Sequence, residues 1–349
     1  MNKNTLIGLF ICVITALLSI HISNYIGIDL LGLKKSPISP IIIAIIMGSI
    51  ASNSVKRIQS YTDGYLFSIK YLLKLGIIFL GIRLSISDIL KYGSQGLFVI
   101  IPCIVVSIFI VRKLRDYFQV SDNLSLLIAV GTSICGATAI VALAPAINAK
   151  KEEISYAIAN ITIFGLIAMF LYPLFAFTVF DDNSLAVGLF LGTSIHETAQ
   201  VAGSGMIYAE QYENPTVLDI ATVIKLVRNT MMVILIPLLA YQAKKESRMQ
   251  NKIKIGSIFP YFIIGFLAFG FIRSIGDQFE YLIGSELWNG FVYKIKYSAE
   301  ILLVTAMSGV GYNTNLVKFK NLGLKPFYLG FIAAISVGIV SFSIIYLIY

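Results

Sequence analysis

Residues 131–139 read Gly131-Thr132-Ser133-Ile134-Cys135-Gly136-Ala137-Thr138-Ala139, and residues 192–200 read Gly192-Thr193-Ser194-Ile195-His196-Glu197-Thr198-Ala199-Gln200. The tetrapeptide GTSI occurs in both, each time inside a long apolar run. Glycine and small hydroxyl residues continue a helix poorly, and unsatisfied backbone at membrane depth costs several kcal/mol unless it lines protein or a water-filled cavity. A half-helix starting at such a break presents free N–H groups and the positive end of its dipole, which suits an anion. Thr132, Ser133, Thr193 and Ser194 add hydroxyl donors at the same depth. Close helix packing through small residues is the other reading of the pattern.

The composition around these stretches selects the class. The chain has 349 residues, with 27 Lys and Arg, 18 Asp and Glu, 57% hydrophobic residues and only 13% charged. Mean hydropathy is +0.85. A soluble domain carries about 25% charged residues, so a cytosolic enzyme, a secreted disulfide scaffold and a disordered chain are all excluded. A polytopic helical membrane protein of roughly ten spans remains. Apolar runs fall at about 5–22, 38–51, 65–84, 96–111, 124–147, 154–177, 185–209, 217–240, 256–273, 297–312 and 325–347. The first is read as a span, because no small-residue cleavage site follows it. No connector is long enough for a soluble domain, so 1–349 is read as one membrane domain. The net charge of +9 sits mostly in short connectors, where the positive-inside rule places it, and argues for membrane topology and against nucleic acid. Cys12, Cys103 and Cys135 lie in apolar runs and form no CxxC pair, so neither disulfides nor a thiolate metal site are expected.

The GTSI runs belong to a wider duplication. Tyr172-Pro173-Leu174-Phe175-Ala176 resembles Ile236-Pro237-Leu238-Leu239-Ala240, and Ile38-Ser39-Pro40 resembles Ile258-Phe259-Pro260. Gly81 and Gly93 correspond to Gly311 and Gly323. The predicted first repeat is 38–177, flank then core, and the second is 185–347, core then flank. Basic connectors are 52–64, 112–123, 148–153, 241–255 and 313–325, whereas 178–184 and 210–216 hold no Lys or Arg. If each GTSI run enters and leaves on one face, all five basic connectors become cytoplasmic. The two runs then dip in from opposite sides, which is the inverted-repeat plan of secondary transporters. This gives about nine full spans and two re-entrant elements, a cytoplasmic N-terminus and an external C-terminus. Lys34 and Lys35 run against the scheme.

Several charges lie at membrane depth. Lys225 and Arg228 share a helical face, with Asn229 beside them. Burial of such bases costs about 2.5–3.5 kcal/mol on insertion scales, which an anionic ligand or a buried Glu would offset; snorkelling to the outer surface is the alternative. Lys70 and Lys74 read better as snorkelling residues. Arg83 stands at an outer helix end, equally a site or a surface residue. His196 and Glu197 are suited to proton coupling, or to a structural pair or a salt bridge to Lys225 or Arg228. The HETAQ stretch lacks the second His of a zinc-protease motif, so no metal and no cofactor are expected. Lys70, Lys74, Arg83, Lys225 and Arg228 oppose Glu197 and Glu300, and this imbalance favours an anionic substrate.

The stretches GTSICGATAIVALAPAI (131–147), GTSIHETAQVAGSG (192–205) and VIKLVRN (223–229), with GIRLS (81–85) and the Gly309–Pro326 region, resemble the sulfate exporter family of YeiH-type membrane proteins. Thr138 departs from the Ser expected in its CGAS pattern but keeps the hydroxyl. The resemblance implies export of sulfate or a related oxyanion. The reading is therefore an all-α multi-pass protein of the cell (inner) membrane, a secondary transporter and not an enzyme. Its substrate is a small inorganic or sulfur-containing anion such as sulfate or sulfite. Gly131, Thr132, Ser133, Cys135, Gly136, Thr138, Gly192, Thr193, Ser194, Lys225, Arg228 and Arg83 are the expected substrate site, and His196 and Glu197 the proton couplers. A cation–proton antiporter using Glu197 and a passive anion channel are the alternatives. The lipid bilayer and the anion are the expected partners; homo-oligomer formation is left open.

Overall fold

The computed structural model describes residues 2–32, 36, 38–181, 183–247, 259–314 and 323–349. Lys34, Lys35, Arg248, Lys252, Lys254, Lys318 and Lys320, which weigh on the predicted topology, lie outside the described residues. Among the described residues the chain is all-helical and contains no strand. By contact it divides into two compact units. The first is drawn from Met1–Leu90, Gly205–Asp219 and Tyr261–Lys320, and the second from Lys91–Ser204, Ile220–Pro260 and Asn321–Tyr349.

The first unit holds α1 (Lys3–Asn24), α2 (Pro40–Ser54), α3 (Thr62–Phe67), α4 (Leu73–Leu80), and, further along, the helices Phe262–Gln278, Glu280–Ile283 and Ser285–Asn313. Local chemistry starts them. Asn2 accepts from the Thr5 amide at 2.8 Å to cap α1. Ser39 caps α2 with Pro40 in its first turn, where the missing N–H costs nothing. α3 and α4 are joined by a π-helical stretch, Ser68–Leu72, and α4 runs into a 3-10 turn, Gly81–Arg83. Packing is through small residues. A Cβ on Gly64 would stand 2.5 Å from the Gly8 Cα, and one on Gly311 would stand 2.4 Å from the Ile45 carbonyl oxygen. With little hydrophobic drive between helices in lipid, such close backbone approach holds them together.

The second unit holds most of α5 (Ile86–Leu114), then α6 (Asp122–Val130), α7 (Ala137–Leu143), α8 (Lys151–Phe180) and α9 (Ser184–Ser194). α10 (Thr198–Gln211) and α11 (Thr216–Thr230) are shared between units along the chain, and α12 (Met232–Ser247) follows. The first-unit helices Phe262–Gln278, Glu280–Ile283 and Ser285–Asn313 are α13, α14 and α15; α16 is Leu324–Ile348. Ser121 caps α6 and Asn183 caps α9 through their side chains. Leu127, Ile128, Ile134, Ile140, Ile161, Ile236 and Leu329 form one buried cluster, so the GTSIC stretch lies in the core of this unit.

Among the described residues, six helical stretches are long and apolar enough to cross a membrane: Lys3–Leu30, Arg57–Arg83, Ile86–Leu114, Lys151–Phe180, Thr216–Gln242 and Leu324–Ile348. Asp122–Cys135, Ala137–Ala146, Ser184–Ser194 and α2 are apolar but shorter. Six is fewer than the nine full spans read from the runs. Of the run 256–273, residues 262–273 lie in α13, which has only 17 residues. The run 297–312 falls in α15, which carries Glu286, Lys294, Lys296 and Glu300. On α5, Phe98, Ile101, Val105 and Phe109 lie on one face, each more than half exposed. That stripe is costly against water and favourable against acyl chains.

Candidate functional site at the two broken helices

Both GTSI stretches break their helices. After α6 the backbone becomes π-helical over Gly131–Cys135 and then turns at Gly136, with φ +70° and ψ −134°. Side chains avoid that conformation. It ends the π turn, with the Gly136 amide donating to the Gly131 carbonyl at 2.9 Å, and starts α7. α9 stops at Ser194, Ile195 is extended, and α10 starts at Thr198. Each break leaves carbonyls without intrahelical partners.

Lys225 and Arg228 supply those partners from α11. Lys225 Nζ donates to the carbonyls of Ile134 at 3.1 Å, Ile195 at 3.0 Å and His196. Arg228 Nε donates to Ser133 O at 2.7 Å, Nη1 to Thr193 O at 2.6 Å and Ile195 O at 3.0 Å, and Nη2 to Thr132 O. Both side chains are fully buried. Two cations thus tie together the carbonyl ends of the two breaks, where the helix dipole is negative. All three N–H groups of Lys225 are used, and only one on Arg228 is left over. Their hydrogen-bonding role is to hold backbone; what they offer a ligand is charge.

The opposite ends are treated with opposite sign. Glu197 Oε1 accepts from the Ala137 amide at 3.3 Å. The Glu197 amide donates to Gln200 Oε1 at 3.2 Å, and Gln200 Nε2 donates to Thr162 O on α8, also at 3.2 Å. Asn229 donates to Thr198 Oγ1 at 3.0 Å. Glu197 and Thr198 are only partly buried, in contrast to the two bases. Formal charges at this crossing are two positive, on Lys225 and Arg228, and one negative, on Glu197.

The register comes from glycines. Gly188 and Gly192, four apart on α9, face Ile220 and Ile224, four apart on α11, where an added Cβ would come within 2.6 Å. The next residue in that α11 series is Arg228, which is thereby carried to the end of α9. Gly192 is a packing position against Ile224. Gly192→Val should force α9 off α11 and lower the yield of folded protein in detergent by tenfold or more, read by size-exclusion chromatography. The i, i+4 glycine spacing is legible in the sequence; its partner helix is not.

The other expected site residues fall in different places. Ser133 Oγ and His196 Nδ1 are buried without a hydrogen-bond partner, as is Asn229 Oδ1. Thr193 donates to Leu189 O at 2.7 Å and contacts Ser341 Oγ at 2.6 Å, and Ser194 donates to Phe190 O at 2.5 Å, so these hydroxyls are spent within the protein. Gly131 packs against Ile140. Cys135 is buried beside Met232, and Thr138 is exposed. Arg83 belongs to the first unit, where Nε meets Asp219 Oδ1 at 2.5 Å and Nη1 lies 3.7 Å from Glu300 Oε1. It lines a cavity of about 330 Å³ with Glu210, Glu213 and Glu300. Asp219 was missed by the charge reading, although its place in the same apolar run as Lys225 was a signal. Among the described residues no group of three or more His, Cys, Asp or Glu side chains has metal-site geometry.

The family of conserved hypothetical protein 698 matches residues 7–330. Similar proteins include a UPF0324 membrane protein of Bacillus anthracis, 34% identical over 315 residues, covering 88% of this chain and 86% of that protein. Another is a UPF0324 membrane protein of Fusobacterium nucleatum, 30% identical over 349 residues and covering 98% of each. No solved structure matches. Composition, the six apolar helices and these relatives agree: the chain belongs to the conserved hypothetical protein 698 family, a family of membrane proteins.

Proposed function

We propose that this protein is a secondary transporter of a small inorganic or sulfur-containing oxyanion, sulfate or sulfite in kind, and not an enzyme. The observation that carries the reading is the crossing itself. Two broken helices meet at two fully buried bases against one carboxylate, with Ser133 and His196 side-chain atoms left unpartnered beside them. A buried surplus of positive charge is expensive in a membrane unless an anion completes it. The same reading makes the chain an inverted repeat. It is supported by the way contact gathers the flank segments 38–90 and 261–320 into one unit, and most of both GTSI regions into the other. Alternating access would come from movement of the core elements against the flanks, in the cell membrane, with the N-terminus cytoplasmic and the C-terminus external.

The test is flux in proteoliposomes. Labelled sulfate or sulfite loaded inside should exchange with the same anion outside, at a rate at least tenfold above protein-free vesicles. Cation–proton antiport is the second reading, with the Glu197 carboxylate as the group that would carry it. It predicts sodium- or potassium-driven pH changes and no anion exchange, and that outcome would replace the anion reading. Voltage-driven anion current without exchange would mark a channel.

A further inference from the structure

The crossing carries an anion of its own. The Glu197 carboxylate rests on the Ala137 amide at 3.3 Å. Its Cγ lies 2.3 Å from where a Cβ on Gly136 would stand, so the missing side chain of Gly136 is the space Glu197 occupies. The charged and titratable groups facing it are Lys225 from α11, Cys135 from the first break and His196 beside it, with Arg228 one turn beyond Lys225. α8 presents the neutral Thr162 carbonyl, through Gln200. The bases are sealed, while Glu197 is only partly buried.

The carboxylate does not complete the site. Ser133 Oγ and His196 Nδ1 are 0% and 1% exposed and have no partner. Buried polar atoms are ordinarily paired, and Glu197 satisfies neither. A tetrahedral oxyanion has more acceptor oxygens than a carboxylate, enough for partners that Glu197 leaves unpaired.

We propose that Glu197 is a tethered competitor for the transported anion, a proposal that rests on the anion-transport reading of this site. Ionised, Glu197 holds the anion's place. Protonated, it loses its attraction for the bases and yields that place to one oxyanion. The proton comes from the aqueous phase and forms a carboxyl O–H, and release of the anion returns it. With Glu197 ionised, the two bases less one carboxylate leave a formal charge of one. With Glu197 protonated the charge is two, which a dianion such as sulfate neutralises and a monoanion does not. Anion binding therefore takes up one proton, and Glu197 determines it.

Calorimetric titration of sulfate into the purified full-length protein, repeated in buffers of different ionisation enthalpy, counts that proton. The wild type should take up one proton per sulfate. Its dissociation constant should fall about tenfold for each pH unit lowered while Glu197 is ionised in the free protein. Sulfate keeps its double charge throughout. Glu197→Gln should take up none, and should bind at every pH with the wild-type low-pH constant. Ser133→Ala should weaken sulfate about tenfold and still take up one proton. Sulfate binding with no proton uptake in the wild type overturns the proposal whether or not Glu197→Gln folds, as does equal uptake in Glu197→Gln; neither touches the anion reading. Absence of sulfate binding and of anion flux at every pH overturns both together.

Discussion

Arg228→Ala should prevent the protein from accumulating in a folded form. The guanidinium donates to Ser133, Thr193, Ile195 and Thr132 carbonyls from two separate breaks. The guanidinium and these residues are buried in protein, so bulk water does not replace those bonds. Ile195 O keeps Lys225, but each of the three other carbonyls is left without its donor at about 1–3 kcal/mol, so losing the group costs on the order of 3 kcal/mol or more. That is a large fraction of an ordinary domain's stability. In detergent, the apparent melting temperature should drop by roughly 10 °C or more, with most protein aggregated in size-exclusion chromatography. Arg228→Lys keeps the charge but offers one point donor in place of a planar fork. It should recover part of the stability and not all of it. If Arg228→Ala were monodisperse with an unchanged melting curve, the guanidinium would not be what holds the breaks. Lys225→Ala should behave similarly, since Ile134, Ile195 and His196 depend on it in the same way.

Gly136→Ala should destabilise the protein strongly for a single added methyl. Two independent costs fall on one atom. A φ of +70° with ψ of −134° lies where only glycine is at ease, a strain of about 1–3 kcal/mol for any other residue. The new Cβ would also stand 2.3 Å from Glu197 Cγ, so Glu197 must leave the Ala137 amide. Gly290→Ala is the control. Gly290 is exposed within α15, and a Cβ there meets nothing within 4 Å, so alanine should be neutral or stabilising by up to about 1 kcal/mol. Pairing Gly136→Ala with Glu197→Ala separates the costs: the double variant should recover the steric part and keep the backbone part. Thermal melting of the four proteins measures this. Equal melting points for Gly136→Ala and Gly290→Ala would mean that Gly136 is not needed for the break.

Much of the candidate site is legible in the sequence. The paired GTSI stretches mark both breaks, and Lys225, Arg228, His196 and Glu197 all lie at the resulting crossing. What could not be read was the direction in which the groups point. The sequence suggests that Thr193 and Ser194 present hydroxyls to a ligand; in the structure they donate back along α9. A helix lets Ser and Thr bond the carbonyl four residues earlier, and nothing in the local sequence says which choice a given hydroxyl makes. Gly192 likewise looked like part of the break and is a close contact with Ile224 on α11.

Composition and repetition alone determined that this chain is helical, lives in a bilayer and interrupts two of its helices with the same four residues. Those are properties of transfer free energy and backbone conformational preference, and both are local. Only the tertiary structure decided that the bases on α11 bond the carbonyl ends of both breaks while Glu197 takes an amide at the start of α7. Hydrogen bonds between residues 29 to 96 positions apart depend on which helices become neighbours. That is settled by glycine-sized gaps and the need to pair every buried polar group, and neither quantity exists until the chain is folded.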